Sequence, residues 1–326
     1  MTLSYEHLIG SPTAPPPSDS AHDPPDIHRV FDNAIPPVLT VPEGTIVAFE
    51  CPGMALPPEA QVEDLAALDP DRPHTIVGPV AIEGAEPGDT LMVEILDVEL
   101  IQNHGHTIII PGLGLLSEDF PEPYVHNFTW EDGARTAELR PGVHVPLSPF
   151  CGILGLAPGE PGEHSTPPPR ATGGNVDIRH LVPGTTLWLP VEAPGALFFC
   201  GDGHGAQGDG EVCITALETA VRATLRFSLD RRRKIQEPQF LTRSPLNVDA
   251  GAAGYYATSA VGPDLYACSQ QAVRHLIEYL QFEHDLSRIE AYVLCSLAAD
   301  LKINEIVDAP NWIVSAYLPL SVFTAA

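Results

Sequence analysis

One short unit, used three times, constrains this chain more than any other feature. Pro42-Glu-Gly-Thr45 precedes IVAFE, Pro87-Gly-Asp-Thr90 precedes LMVEILDVEL, and Pro183-Gly-Thr-Thr186 precedes LWLPV. In each, a turn with glycine at its tight position feeds a run of β-branched and large apolar residues. The longest run also alternates over part of its length, as a half-buried strand should. Three such units predict a mainly β fold, a sandwich or barrel body with internal similarity. The 35 prolines and 27 glycines in 326 residues suit short strands joined by turns better than long helices, and 44% hydrophobic residues supply a core.

Around that body the composition divides the chain. Residues 1–27 are rich in Pro, Ser and Asp and read as a flexible lead-in. Residues 28–230 read as a β-rich body, the part that carries the candidate site residues taken up below. At Arg231-Arg-Arg-Lys234 the composition shifts, and residues 231–326 read as a small α/β subdomain packed on the body. There Leu265, Cys268, Ala272, Leu276 and Leu280 recur at helical spacing after Gly262-Pro-Asp. Ser287-Arg-Ile-Glu290 fits a capping box opening a second helix to about Asp300, and Trp312–Leu318 reads as a closing strand.

The net charge of −27 argues against nucleic acid or an anionic membrane as partner. Six cysteines (51, 151, 200, 213, 268 and 295) are scattered without a C-x-x-C pair, which fits reduced, buried thiols better than a disulfide framework. With neither a signal-peptide pattern nor an apolar run of membrane-spanning length, the chain is expected to be soluble and cytoplasmic.

The polar chemistry gathers in Ala171–Cys213, where ATGGNVD and GDGHGAQGDGEVC flank apolar strands. On an extended strand residues i and i+2 share a face. Asn175/Asp177 and Asp202/His204 are such pairs, and Asp209/Glu211 is a third if its stretch is extended. The interspersed glycines are expected to bring backbone close to whatever these groups hold. Two carboxylates and an imidazole (Asp202, His204, Glu211) suit a divalent ion, zinc first, with one position left for water; calcium is the option for a second ion. The alternative is a glycine-rich turn whose Asp and His cap backbone N–H groups. Asn175 and Asp177 either complete the coordination shell or supply the base. His28, His74, His104 and His106 are further candidate ligands or proton donors, and Glu50, ending its strand, is a candidate second carboxylate. With no G-x-S-x-G elbow and lysine only at 234 and 302, a metal-activated water is the better-supported nucleophile.

GPVAIEGAEPGDTLMVEI (78–95), PFCGILGLAPG (149–159), GGNVD (173–177), PGALFFCGDGHGAQGDGEVC (194–213) and SRIEAYVLCSLAADLKINEIVD (287–308) together resemble the acetamidase/formamidase family of metal-dependent amidases. The resemblance implies a homo-oligomer, dimer or higher, that hydrolyses short aliphatic amides to carboxylate and ammonia. It places Asp177, Asp202, His204 and Glu211 on the family's acidic and histidine positions. Asp177, Asp202, His204 and Glu211 are the expected metal ligands; Glu211, Asp177 and Asn175 are the expected catalytic groups, with Glu211 or Asp177 moving the proton. The chain departs from the family pattern at Gly205 after His204, Thr172 before Gly-Gly-Asn, Gly53, and His104-Gly-His106 in place of a Trp-bearing segment. Alternative readings are a hydrolase of a ureido or carbamate substrate, and a non-catalytic metal-binding β module.

Overall fold

A computed structural model describes residues 4–13, 24–69, 71–242 and 253–323. The chain divides into two compact units, each discontinuous in sequence. The first comprises Met1–Gln102, Pro149–Gly205 and Glu218–Pro245; the second comprises Asn103–Ser148, Ala206–Leu217 and Leu246–Ala326.

The repeated turn units build one sheet of the first unit. Gly44, Gly88 and Gly184 sit at φ +91, +90 and +90, each third in a four-residue turn. The closing bonds run from Thr45 N to Pro42 O, Asp89 N to Glu86 O and Thr185 N to Val182 O. That left-handed position favours glycine, which explains why the motif recurs. The turns launch Ile46–Cys51, Thr90–Leu100 and Thr186–Pro190. All three lie in a six-stranded sheet ordered His7–Gly10, Ile46–Cys51, Val221–Leu229, Thr90–Leu100, Thr186–Pro190, Gln239–Leu241, parallel at its first pair and antiparallel thereafter.

A second sheet of this unit runs Gly173–Asn175, Phe150–Leu156, Phe198–His204, Ile76–Ile82, Ile27–His28, with Leu39–Val41 joining Ile76–Ile82 in parallel. Phe150–Leu156 and Ile76–Ile82 are buried at every position. That explains their unbroken apolar character, since strands covered on both faces do not alternate. The two sheets share a core in which the Phe198 ring lies edge-on to Phe49 at 5.6 Å and to Phe227 at 5.0 Å. Burying a side chain of this size contributes about 1.5–3 kcal/mol. Both sheets end in edge strands, so among the described residues the body is a sandwich and the barrel expectation does not hold.

The second unit holds the hairpins His104–Ile109/Tyr124–Thr129 and Thr136–Arg140/Val143–Pro146. It also holds a three-stranded antiparallel sheet, Tyr255–Gly262, Trp312–Pro319 and Asp300–Glu305, and two helices, Leu265–His284 and Arg288–Ala298. Asp264 caps the first helix through Ala267 N, and Ser287 with Glu290 forms the expected capping box on the second. Cys268, Ala272, Leu276 and Leu280 point into the core as their spacing predicts.

Two boundaries differ from the sequence expectation. The 230/231 break is replaced by a division that gives 103–148 and 206–217 to the C-terminal unit. The cause is a shared core: Phe128, Val145 and Val212 pack in one cluster with Leu276 and Tyr292. Of the expected flexible lead-in, residues 1–3 and 14–23 lie outside the described residues. His7–Gly10 is a strand, and Asp26 accepts a hydrogen bond from Gly10 N at 2.7 Å. Among the described residues no helix is long and apolar enough to cross a membrane.

Candidate metal centre

The strand Phe198–His204 carries the site's core. Its partner Phe150–Leu156 pairs Phe150 with His204, Cys151 with Gly203 and Ile153 with Gly201, a single register that sets Gly152 opposite Asp202. Asp202 takes a left-handed backbone there, φ +57, so the pair Asp202/His204 does not follow regular strand alternation. Even so, the two side chains converge. His204 Nε2 lies 3.4 Å from Asp202 Oδ2 and 3.5 Å from Glu218 Oε1. Ligand atoms of Asp202, His204 and Glu218 all fall within 4.8 Å of one another. His204 and Glu218 are buried, and the Phe150 ring stands edge-on to the His204 imidazole at 5.0 Å.

Gly152 shows how tightly this centre is built. A Cβ there would sit 2.6 Å from Asp177 Oδ1, 2.7 Å from His204 Cε1 and 2.8 Å from Asp202 Oδ2. Three functional side chains therefore line one small hollow that any side chain at 152 would fill. The Gly152 carbonyl also accepts hydrogen bonds from Val176 N at 3.0 Å and Asp177 N at 3.2 Å, fixing the segment that presents Asp177. Asp177 is likewise left-handed, φ +44. A non-glycine residue in that region costs on the order of 1–3 kcal/mol, and such strain concentrates at functional sites.

The electrostatics separate the two aspartates. Burial pushes the Asp177 carboxyl up to about 7, with Asp202 adding to the rise and His204 opposing it. Burial also acts upward on Asp202, but the His74 and His204 imidazoles outweigh it and hold that carboxyl well below the ordinary range. His74 Nε2 stands 4.0 Å from Asp202 Oδ2, and His74 Nδ1 is 3.1 Å from the buried Thr166 hydroxyl, which orients the ring.

The structure thus brings together Asp177, Asp202, His204 and His74 and adds Glu218, which sequence reasoning missed. Its signal was present: Glu218 is the one acid in the apolar run ITALETAV, and a buried carboxylate needs partners. Asn175 sits opposite Ile153. Its amide donates to Pro167 O at 3.2 Å, and its buried Oδ1 has no hydrogen-bond partner among the described residues. Glu50 pairs with Arg222, whose Nε is 3.2 Å from Glu50 Oε1. His28 Nε2 lies 3.1 Å from Pro25 O. Neither Glu50 nor His28 joins the cluster of donors.

His104 and His106 belong to the second unit, on one hairpin strand, with His106 Nδ1 2.9 Å from Asn127 Oδ1. Glu211 also falls in the second unit, in a turn at φ +42 whose backbone N donates to Gly208 O at 3.1 Å. Two of the motif glycines are required by close backbone packing. A Cβ at Gly201 would sit 2.6 Å from Thr75 O, and one at Gly208 2.1 Å from Ala299 O.

The donor chemistry, two carboxylates and an imidazole in a hollow kept open by Gly152, fits a hard-to-borderline divalent cation. A β-sandwich with an acid–imidazole centre defines the class. The model of the Acetamidase/Formamidase family matches residues 17–162 and 161–325. A formamidase from Methylophilus methylotrophus is 24% identical over 369 aligned positions, covering 91% of this chain and 89% of that protein. Among solved structures, an acetamidase from Bacillus halodurans is 31% identical with a TM-score of 0.61, covering 90% of this chain and 95% of its own. A gamma lactamase from Delftia acidovorans has a TM-score of 0.86 at 24% identity, covering 98% and 94%, and at that identity it shows the shared fold. The chain belongs to the acetamidase/formamidase family of amidohydrolases.

Proposed function

We propose that this chain hydrolyses short aliphatic amides of the formamide and acetamide type, consuming one water and releasing carboxylate and ammonia, at the Asp202–His204–Glu218 centre. The observation that supports this most is the convergence of those three donors within 4.8 Å, in a chain that belongs to an amidase family. Asp202, His204 and Glu218 would hold the cation, zinc in this reading, with calcium the option for a second ion. Zinc held there would supply Lewis acidity to polarise the amide carbonyl and bring the pKa of a bound water toward about 7.

The residues divide the remaining work. Asp202, kept ionised by its two imidazole neighbours, is a permanent anion and fixes the charge of the centre. Asp177, whose carboxyl titrates near neutrality, takes the proton from water and returns it to the departing nitrogen. Pushing two carboxyls of one site apart in this way separates a charge holder from a proton carrier. Phe150 and the core behind it exclude bulk water from His204.

Ammonia release from formamide, acetamide, small ureas, carbamates and lactams tests the reading, with elemental analysis of the same protein. The expected result is turnover of the linear amides, with Asp202→Ala and His204→Ala folded, metal-depleted and inactive. Full amidase activity in a metal-free His204→Ala variant refutes it, and turnover confined to ureas or carbamates moves the substrate class. The expected homo-oligomer is read by light scattering.

A further inference from the structure

Behind the acid–imidazole centre, three of the six cysteines meet. Cys51 ends Ile46–Cys51 in one sheet of the first unit, while Cys151 and Cys200 lie on adjacent strands of the other. Cys200 Sγ is 3.4 Å from Cys151 Sγ and 3.6 Å from Cys51 Sγ, and all three sulfurs fall within 4.8 Å of one another. They are essentially inaccessible, at 0%, 2% and 0% exposure for residues 51, 151 and 200. The cluster that contains them is otherwise apolar, with Phe49, Val77, Phe198 and Val221 as members.

We propose that Cys51, Cys151 and Cys200 form a second metal site, a buried three-sulfur site for a thiophilic d10 cation such as zinc or copper(I). Thiolate donors select such ions, whereas the oxygen-rich centre at Asp202 suits a harder one. The geometry is near what such an ion needs. With metal–sulfur bonds of about 2.3 Å, a trigonal set places its sulfurs about 4.0 Å apart. The observed spacings require outward movement of about 0.5 Å, within reach of small side-chain rotations. A disulfide, in contrast, would draw two sulfurs to about 2.05 Å and strand the third.

The charge also closes. Two thiolates and one neutral thiol around zinc(II), or one thiolate and two neutral thiols around copper(I), carry no net charge, so the apolar surroundings are not asked to hold one. Loading releases two protons to solvent with zinc and one with copper(I), and burial means that it accompanies folding. The ion would cross-link the two sheets of the sandwich directly behind the strand that presents Asp202 and His204. This proposal does not depend on the amidase reading.

The test is refolding the full-length protein with cadmium chloride and reading the ultraviolet sulfur-to-cadmium charge-transfer band, which oxygen and imidazole donors do not give. One sulfur-bound cadmium per chain is expected, counted by native mass spectrometry. Cys200→Ala should lose it, while Asp202→Ala and Cys268→Ala keep it. In zinc-loaded wild-type protein, X-ray absorption should show sulfur scatterers at about 2.3 Å. Folded wild-type protein that gives no band after refolding with cadmium overturns the proposal. So does a folded Cys200→Ala protein with the full band. If Cys200→Ala does not fold, Cys51→Ala and Cys151→Ala take its place, and the wild-type measurement stands without any variant.

Discussion

Gly152→Ala is the smallest change that probes the centre. The backbone at 152 is not left-handed, so alanine meets no conformational penalty and the perturbation is purely steric. Its Cβ would approach three atoms, Asp177 Oδ1, His204 Cε1 and Asp202 Oδ2, at 2.6, 2.7 and 2.8 Å. Ordinary contact begins at about 3.4 Å, so each group must retreat by about 0.6–0.8 Å. These are side chains of a packed core, and overpacking of this kind costs about 1–3 kcal/mol of stability.

The activity should fall further than the stability suggests. A displacement approaching 1 Å in positioned catalytic groups costs about 10²-fold, or about 2.7 kcal/mol at the transition state. The assay is kcat/KM for ammonia release, beside thermal unfolding of the same preparation. Gly262→Ala is the control, because its Cβ would come no closer than 3.3 Å to any neighbour, Cys268 Sγ. A folded Gly152→Ala enzyme with wild-type kcat/KM would refute the claim that these three side chains work as one centre.

Other perturbations separate the remaining roles. Glu218→Gln keeps the shape but removes the charge facing His204; metal affinity and kcat should each drop about 10–100-fold with the melting temperature within a few degrees, as metal titration and kinetics will show. Glu50→Gln weakens the pair with Arg222, whose guanidinium also reaches Glu99 at 3.4 Å; it should cost about 1 kcal/mol in denaturant unfolding and leave kcat within a few-fold. Burial lowers the His106 and His126 pKa values, so the unfolded chain binds protons first as pH falls. Their contribution is whole above about pH 6.5 and is lost as pH falls through the folded-state values, and His126→Gln should flatten the slope of melting temperature against pH in that window.

How much of this could be read from the chain varies by element. The turn–strand units were legible because each uses a glycine that only a left-handed turn explains, and Gly44, Gly88 and Gly184 all occupy one. The capping box at Ser287–Glu290 was legible because its two bonds are local. The unit boundary was not. Whether residues 103–148 pack with the C-terminal helices depends on Phe128 and Val145 meeting Leu276 and Tyr292, a matter of tertiary choice that composition does not record. The three-sulfur cluster was hidden for the same reason, since 149 residues separate Cys51 from Cys200 and the sheets alone bring them together.

The candidate centre shows where strand periodicity stops being a guide. Reading Asp202 and His204 as an i, i+2 pair relies on a regular-strand rule that the backbone breaks, because Asp202 sits at φ +57. Asp177 breaks the rule in the same way at φ +44, two residues after Asn175. On a regular strand Asp202 and His204 would share one face and stand perpendicular to the sheet. Two left-handed aspartates, facing across Gly152, instead aim their carboxyls into one hollow beside His204. What accompanies this backbone strain is a cluster of two carboxylates and an imidazole, all within 3 Å of one position, the Cβ that Gly152 lacks. Periodicity located the strand; the departures from it made the site.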